Sequence, residues 1–125
     1  MTGFHLKLAV VLVVAVAALA ACTEREYTRQ FVIADSQSYE ATLFRQHCAI
    51  CHGVEANGKE VNGKPVPSLR FGDPAKRSES EIYEQIANGK LPMPGFRKQL
   101  SEDEIRKMVR FVMRDLQGRE VGSGQ

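Results

Sequence analysis

The sequence predicts a small all-α domain, three main helices joined by long Gly/Pro-rich loops. Three observations carry that expectation. Apolar residues recur at helical spacing in three stretches, two of which open on a capping box. No stretch alternates convincingly with period two, the mark of a half-buried strand. The segments GVEANGKEVNGKPVPSLRFGDPAK and GKLPMPGFRKQ are rich in Gly and Pro and read as loops rather than strands. A chain of 125 residues supports one domain at most.

From the N-terminus, Leu8 to Ala21 reads LAVVLVVAVAALAA without one polar group. The run is short of the roughly 20 residues a spanning helix needs. It has the length of a signal-peptide h-region, with Lys7 and the amino terminus as the positive n-region. It closes on Leu19-Ala20-Ala21-Cys22 and turns abruptly polar with TEREYTRQ. An ordinary cleavage near Ala21 would leave Cys22 a free thiol, open to oxidation in an exported protein. The four residues resemble the lipobox of bacterial lipoproteins. That resemblance implies removal of residues 1–21 as a lipoprotein signal peptide and thioether lipidation of Cys22. It also implies an exported chain anchored to a bacterial membrane, facing the periplasm or the outer side of the cytoplasmic membrane. Loss of Lys7 leaves 16 basic and 15 acidic residues, and with no Lys/Arg run the balance argues against a nucleic-acid partner.

Residues 22–37 are polar, lack periodicity and read as a tether, in which Phe31 to Ala34 (FVIA) docks on the domain or frays. The folded domain is expected over 38–118 and a flexible tail over 119–125. The first helix starts near Asp35, Ser36 or Ser38 and runs through YEATLFRQHC, with Ala41, Leu43, Phe44 and Cys48 on its apolar side. The second opens on Ser78 with Glu81 three residues on, buries Ile82, Tyr83 and Ile86, and ends at Asn88-Gly89. The third opens on Ser101 with Glu104, and Leu100 stands where it can staple onto Ile105. Ile105, Met108, Val109, Val112 and Leu116 form its stripe, widened by Phe111 and Met113, until Gly118 stops it. Three short helices and long loops bury little by themselves, so a domain of this size needs a staple.

The stretch HCAICHG, His47 to Gly53, supplies one. A Cys48–Cys51 disulfide would close a very small loop and leave His52 unexplained. A thioredoxin-like pair would follow a strand, and none precedes it. A zinc site needs four ligands, and the chain lacks a second Cys or His pair. Cys-x-x-Cys-His is the attachment signature of c-type haem: two thioethers from Cys48 and Cys51 to the vinyl groups, with His52 held under the iron as proximal ligand.

From about Ser36 to Gln117 the chain resembles a small class I cytochrome c. The resemblance rests on CAICHG, on VPSL (Val66 to Leu69), on LPMPGF (Leu91 to Phe96) and on the terminal LSEDEIRKMVRFV. It implies the small cytochrome c fold around one covalent haem c. The carbonyl of Pro67 would accept the Nδ1 proton of His52, so that His52 binds iron through Nε2. Leu69 would pack on the haem face, and Phe44 and Phe111 would meet where the first and last helices cross. One departure is visible: Glu40 stands where the family often has glycine, which would shift the crossing to Ala41 or loosen it.

Candidates for the other axial position are Met93, Met108, Met113 and His47. Met108 and Met113 lie on or beside the last helix's apolar face, where methionine usually fills core. His47 adjoins Cys48, too close to reach over the ring, and reads as a solvated helix-face residue. Met93 lies between Pro92 and Pro94 in a loop with no helical face to serve, and the resemblance favours it as the ligand. With His52 and Met93 on the metal, no position is left for oxygen or peroxide, and a carrier rather than an enzyme is expected. The expected partners are redox proteins or respiratory complexes at the membrane surface, met by a monomer. Between Lys59 and Lys98, eight basic residues face five acidic ones, an excess that could steer an acidic partner. The rival readings are a haem subunit of a larger oxidoreductase and a ligand sensor or peroxidase-like protein.

Overall fold

The computed structural model describes residues 30–122 together with Gly3 and His5. The expected signal segment, its cleavage site and Cys22 lie outside the described residues. Among those described, no helix is long and apolar enough to cross a membrane.

Helix α1 spans Tyr39–His47 and starts where the Ser38 side chain accepts from the Ala41 amide. A four-residue helical turn, α2 (Ala49–His52), follows and carries the second cysteine and the histidine. Helix α3 spans Glu79–Asn88 and α4 spans Glu102–Arg110. Both open on complete capping boxes, Ser78 with Glu81 and Ser101 with Glu104. Past α4 the chain continues as a π-helical turn over Phe111–Leu116, and Gly118 with φ 64° ends it. The stripe read as one long α-helix is therefore two segments. The wider turn keeps Phe111, Val112, Met113 and Leu116 all buried, more apolar side chains than one regular α-helical face presents.

The loop after α2 is not wholly irregular, as its Gly and Pro content had suggested. Strands β1 (Lys59–Val61) and β2 (Lys64–Val66) pair antiparallel in a short hairpin. Asn62 and Gly63 form its turn with φ of 51° and 73°, the positive pair that the Asn-Gly dipeptide favours. A 3₁₀ turn, Asp73–Lys76, leads into α3.

Helix α1 packs across α4, and α4 against α3. Phe44 and Phe111, both fully buried, meet at this crossing with ring centroids 6.0 Å apart. Ala41 is fully buried beside the half-buried Glu40, so the close face has shifted by one residue from the position where glycine was expected. Phe31 to Ala34 docks on the domain: Ile33 is fully buried and Phe31 meets Phe111 edge to face at 5.5 Å. Packed structure thus reaches back to Phe31, ahead of residue 38. At the other end, Val121 packs half-buried against the core rather than standing free.

Candidate haem site

His52 is buried at the end of α2, where its amide donates to the Cys48 carbonyl at 2.9 Å. That one helical turn holds both cysteines and the histidine in a fixed relation. Across the loop, the His52 Nδ1 stands 3.3 Å from the Pro67 carbonyl oxygen. A carbonyl can only accept, so Nδ1 carries the proton and Nε2 keeps its lone pair. Burial pushes the imidazole's pKa down, against the opposing effect of the hydrogen bond it donates to the Pro67 carbonyl, and favours the neutral ring. Burial also pushes the Cys48 thiol up to about 12, with Cys51 adding to the shift. Cys48 is thus a protonated thiol in an apolar wall, and Cys51 stands half-buried beside it with no disulfide between them.

His52 and Cys48 line a cleft enclosing about 630 Å³ of empty space, its mouth included. Ile82 and Ile86 of α3, Met108 of α4 and Val112 of the π turn supply apolar walls. Leu69 comes from the Pro67 loop, and Met93 also lines the cleft. His47, Met113 and Pro67 do not. His47 is half-buried with its ring against Phe96 at 6.2 Å, not solvated as its helix position had suggested. Met113 is core on another side, whereas Met108 is 2% exposed and reaches the cleft wall from α4.

Met93 is presented by a loop folded tightly onto the end of α3. Lys90 and Met93 exchange backbone hydrogen bonds at 3.0 Å each way. The Phe96 and Arg97 amides donate to the Ile86 and Ala87 carbonyls at 2.9 and 3.1 Å. Two glycines make this possible. A Cβ at Gly89, where φ is +72°, would lie 2.5 Å from the Gly95 nitrogen, and one at Gly95 would lie 2.6 Å from the Asn88 carbonyl carbon.

Two polar residues on the cleft wall had not been singled out. Gln85 Nε2 donates to the Met93 sulfur at 3.4 Å, and Arg77 Nη1 donates to Gln85 Oε1 at 3.0 Å. The signal for Gln85 was its place between Ile82 and Ile86 on the inward stripe of α3. Arg77 gave none. Arg70, counted among the exposed cations, is buried and ion-paired with Glu55 at 3.1 Å.

The cleft fits a large apolar group. The wall is largely hydrocarbon, the neutral imidazole and the thioether both line it, and both thiols lie on one helical turn. Among the described residues, no group of three or more His, Cys, Asp and Glu side chains converges as an alternative metal site.

Comparison with known proteins finds cytochromes. Residues 40–112 match the family described as cytochrome C oxidase, cbb3-type, subunit III. Cytochrome c6 of Leptolyngbya boryana is 32% identical over 72 residues, covering 57% of this chain and 82% of that one. Cytochrome c6 of Anabaena variabilis is 34% identical over 76 residues, covering 58% and 84%. A cytochrome c-553-like protein of Synechocystis is 40% identical over 55 residues, covering 43% and 47%. Among solved structures, the KustC0563 c-type cytochrome is 28% identical, covers 57% of this chain and 89% of its own, and has a TM-score of 0.46.

Proposed function

The chain belongs to the monohaem class I cytochromes c, matching the cbb3-type subunit III family, and from that premise we propose a membrane-anchored carrier with His52 and Met93 as its axial ligands. It is an electron-transfer cytochrome with haem c held through Cys48 and Cys51. When bound, the haem supplies reversible one-electron iron chemistry.

The observation that carries the ligand assignment is that His52 and Met93 line one apolar cleft. In the proposed site, His52 binds through Nε2, its ring oriented by the Pro67 carbonyl, and Leu69 packs on the ring face. Met93 offers a thioether from a loop hydrogen-bonded onto the end of α3. With His52 and Met93 both holding the iron, ligand chemistry would be excluded and outer-sphere electron transfer would remain.

The ferric absorption spectrum tests this. A methionine-to-iron charge-transfer band is expected, and Met93→Ala should abolish it and, once the protein is reduced, open the ferrous iron to carbon monoxide. Wild-type protein that lacks the band and binds carbon monoxide readily would overturn the carrier assignment.

The proposed anchor is a lipid on Cys22 after removal of residues 1–21, supported by the Leu19-Ala20-Ala21-Cys22 pattern. Confinement to a membrane surface would raise the effective concentration of redox partners there. Mass spectrometry of the native N-terminus checks it, since an unmodified Cys22 or cleavage elsewhere ends the claim. A second reading, a fixed haem subunit of a larger oxidoreductase, draws on the family description and on four exposed large apolar residues, Ile50, Val54, Phe71 and Leu91. Stable co-purification from native membranes would select it.

A further inference from the structure

The proposed haem site does not use the most deeply buried charge among the described residues. The Arg70 side chain is 3% exposed. Its Nε donates to the Glu55 carbonyl at 2.5 Å, and its Nη2 to Glu55 Oε2 at 3.1 Å and to the Phe31 carbonyl at 2.8 Å. Glu55 is committed on both oxygens. Oε2 also accepts from the Ile33 amide and Oε1 from the Ala34 amide, each at 2.9 Å.

One ion pair therefore captures three backbone groups of the N-terminal arm. Between those groups, Ile33 is fully buried and Phe31 packs on Phe111. Well-packed apolar residues would stabilise such a site at least as well as a buried ion pair, so general stability does not explain the choice. Capture of the arm's backbone does, because Phe31 and Ile33 cannot be buried unless their polar groups find partners.

The other end of the pair is built into the loop that presents Pro67. The Arg70 amide donates to Ser68 Oγ at 3.1 Å, and Ser68 Oγ donates to the Ala56 carbonyl at 3.3 Å. The Leu69 amide donates to the same carbonyl at 2.9 Å. Ala56 is held fully buried at φ 58°, a left-handed conformation that costs a residue with a Cβ about 1 kcal/mol or more. Such a turn persists only when its surroundings over-determine it. Pro67 stands next to Ser68 inside this staple, and its carbonyl faces His52 Nδ1.

We propose that Glu55 and Arg70 latch the N-terminal arm onto the Ala56–Arg70 loop, and that the docked arm thereby holds the Pro67 carbonyl on His52. Glu55, Arg70 and the arm are positioning groups: none of them lines the cleft, and none bonds to the His52 ring. The inference rests on His52 being the proximal ligand.

The test is proton-exchange NMR on the haem-loaded full chain and on Glu55→Gln and Phe31→Ala, at a temperature where each is folded. Both variants should speed exchange of the Ile33 and Ala34 amides and of the His52 Nδ1 proton by on the order of tenfold, with the Ile105 and Val109 amides of α4 unchanged. Faster arm amides with an unchanged His52 proton would reduce the arm to a surface attachment and overturn the proposal. Equal acceleration of the α4 amides would also overturn it, because the effect would then be global stability. Should Glu55→Gln fail to fold, Phe31→Ala decides alone, since it leaves the ion pair intact. Failure of the ligand reading looks different: the ferric wild-type His52 ring protons would lack the paramagnetic shift of an iron ligand, whatever the arm does.

Discussion

Gln85 donates a hydrogen bond to the Met93 sulfur, and in the proposed site that bond would tune what the sulfur gives the iron. A hydrogen bond to a thioether draws electron density from it, which disfavours the more positive ferric ion. Gln85→Leu should therefore lower the reduction potential while the charge-transfer band persists, as a spectroelectrochemical titration would read. At this scale the sequence was legible wherever chemistry names its residues: Cys48, Cys51 and His52 stand in one spacing, and Met93 stands between prolines in a loop with no helical face to fill. Arg70 was not legible. A basic residue in a Gly/Pro-rich loop reads as solvated, and only the return of Phe31 and the turn at Glu55 enclose it. Arg77 was hidden for the same reason, since its bond to Gln85 joins a loop to a helix wall.

The helix starts were the most legible elements, because a cap is a local contract between residues three apart. Ser101→Ala should cost about 1 kcal/mol, and so lower Tm by about 4–8 °C in a domain of this size. Glu104 adds a pH dependence. A hydrogen bond from the Tyr39 hydroxyl, then those from Ser101, hold its carboxyl at about 2 instead of the ordinary 4.5. A depressed acid contributes stability that is fully present above pH 4.5 and is lost as the pH falls toward 2. Thermal melts of the wild type should weaken across that window, and Glu104→Gln should show a shallower slope there. The same carboxylate ties the first residue of α1 to the start of α4, a long-range contact that no capping pattern announces. The hairpin had a local signal, Asn62-Gly63 between short flanking runs. The loop's Gly and Pro content outweighed it, because strands of three residues show too little alternation to read. The π turn had none, since its register follows from which of Phe111 to Leu116 must face the core.

Across the whole molecule, the helices pack on one another and also wall an apolar cleft. A chain unable to attach haem, Cys48→Ser with Cys51→Ser, should lose its cooperative melting transition by circular dichroism, because the cleft's apolar walls are then left facing water. Phe44→Ala, at the fully buried α1–α4 crossing, should cost about 3–5 kcal/mol in denaturant unfolding. Electrostatic steering is weaker than the sequence count suggested: with Arg70 buried, seven basic residues face five acidic ones between Lys59 and Lys98, and Lys76 is already paired with Asp73. By itself the sequence determined the all-α class, the helix starts, the covalent haem signature and the division into leader, tether and domain as an expectation. These are set by bonds and caps between residues a few positions apart, and by composition. Only the tertiary structure decided that Met93 shares a cleft with His52, that Gln85 meets its sulfur, and that the arm is latched by Glu55 and Arg70. Each of those joins residues brought together by packing around an apolar cleft, and burial changes what a polar side chain must do once water is gone.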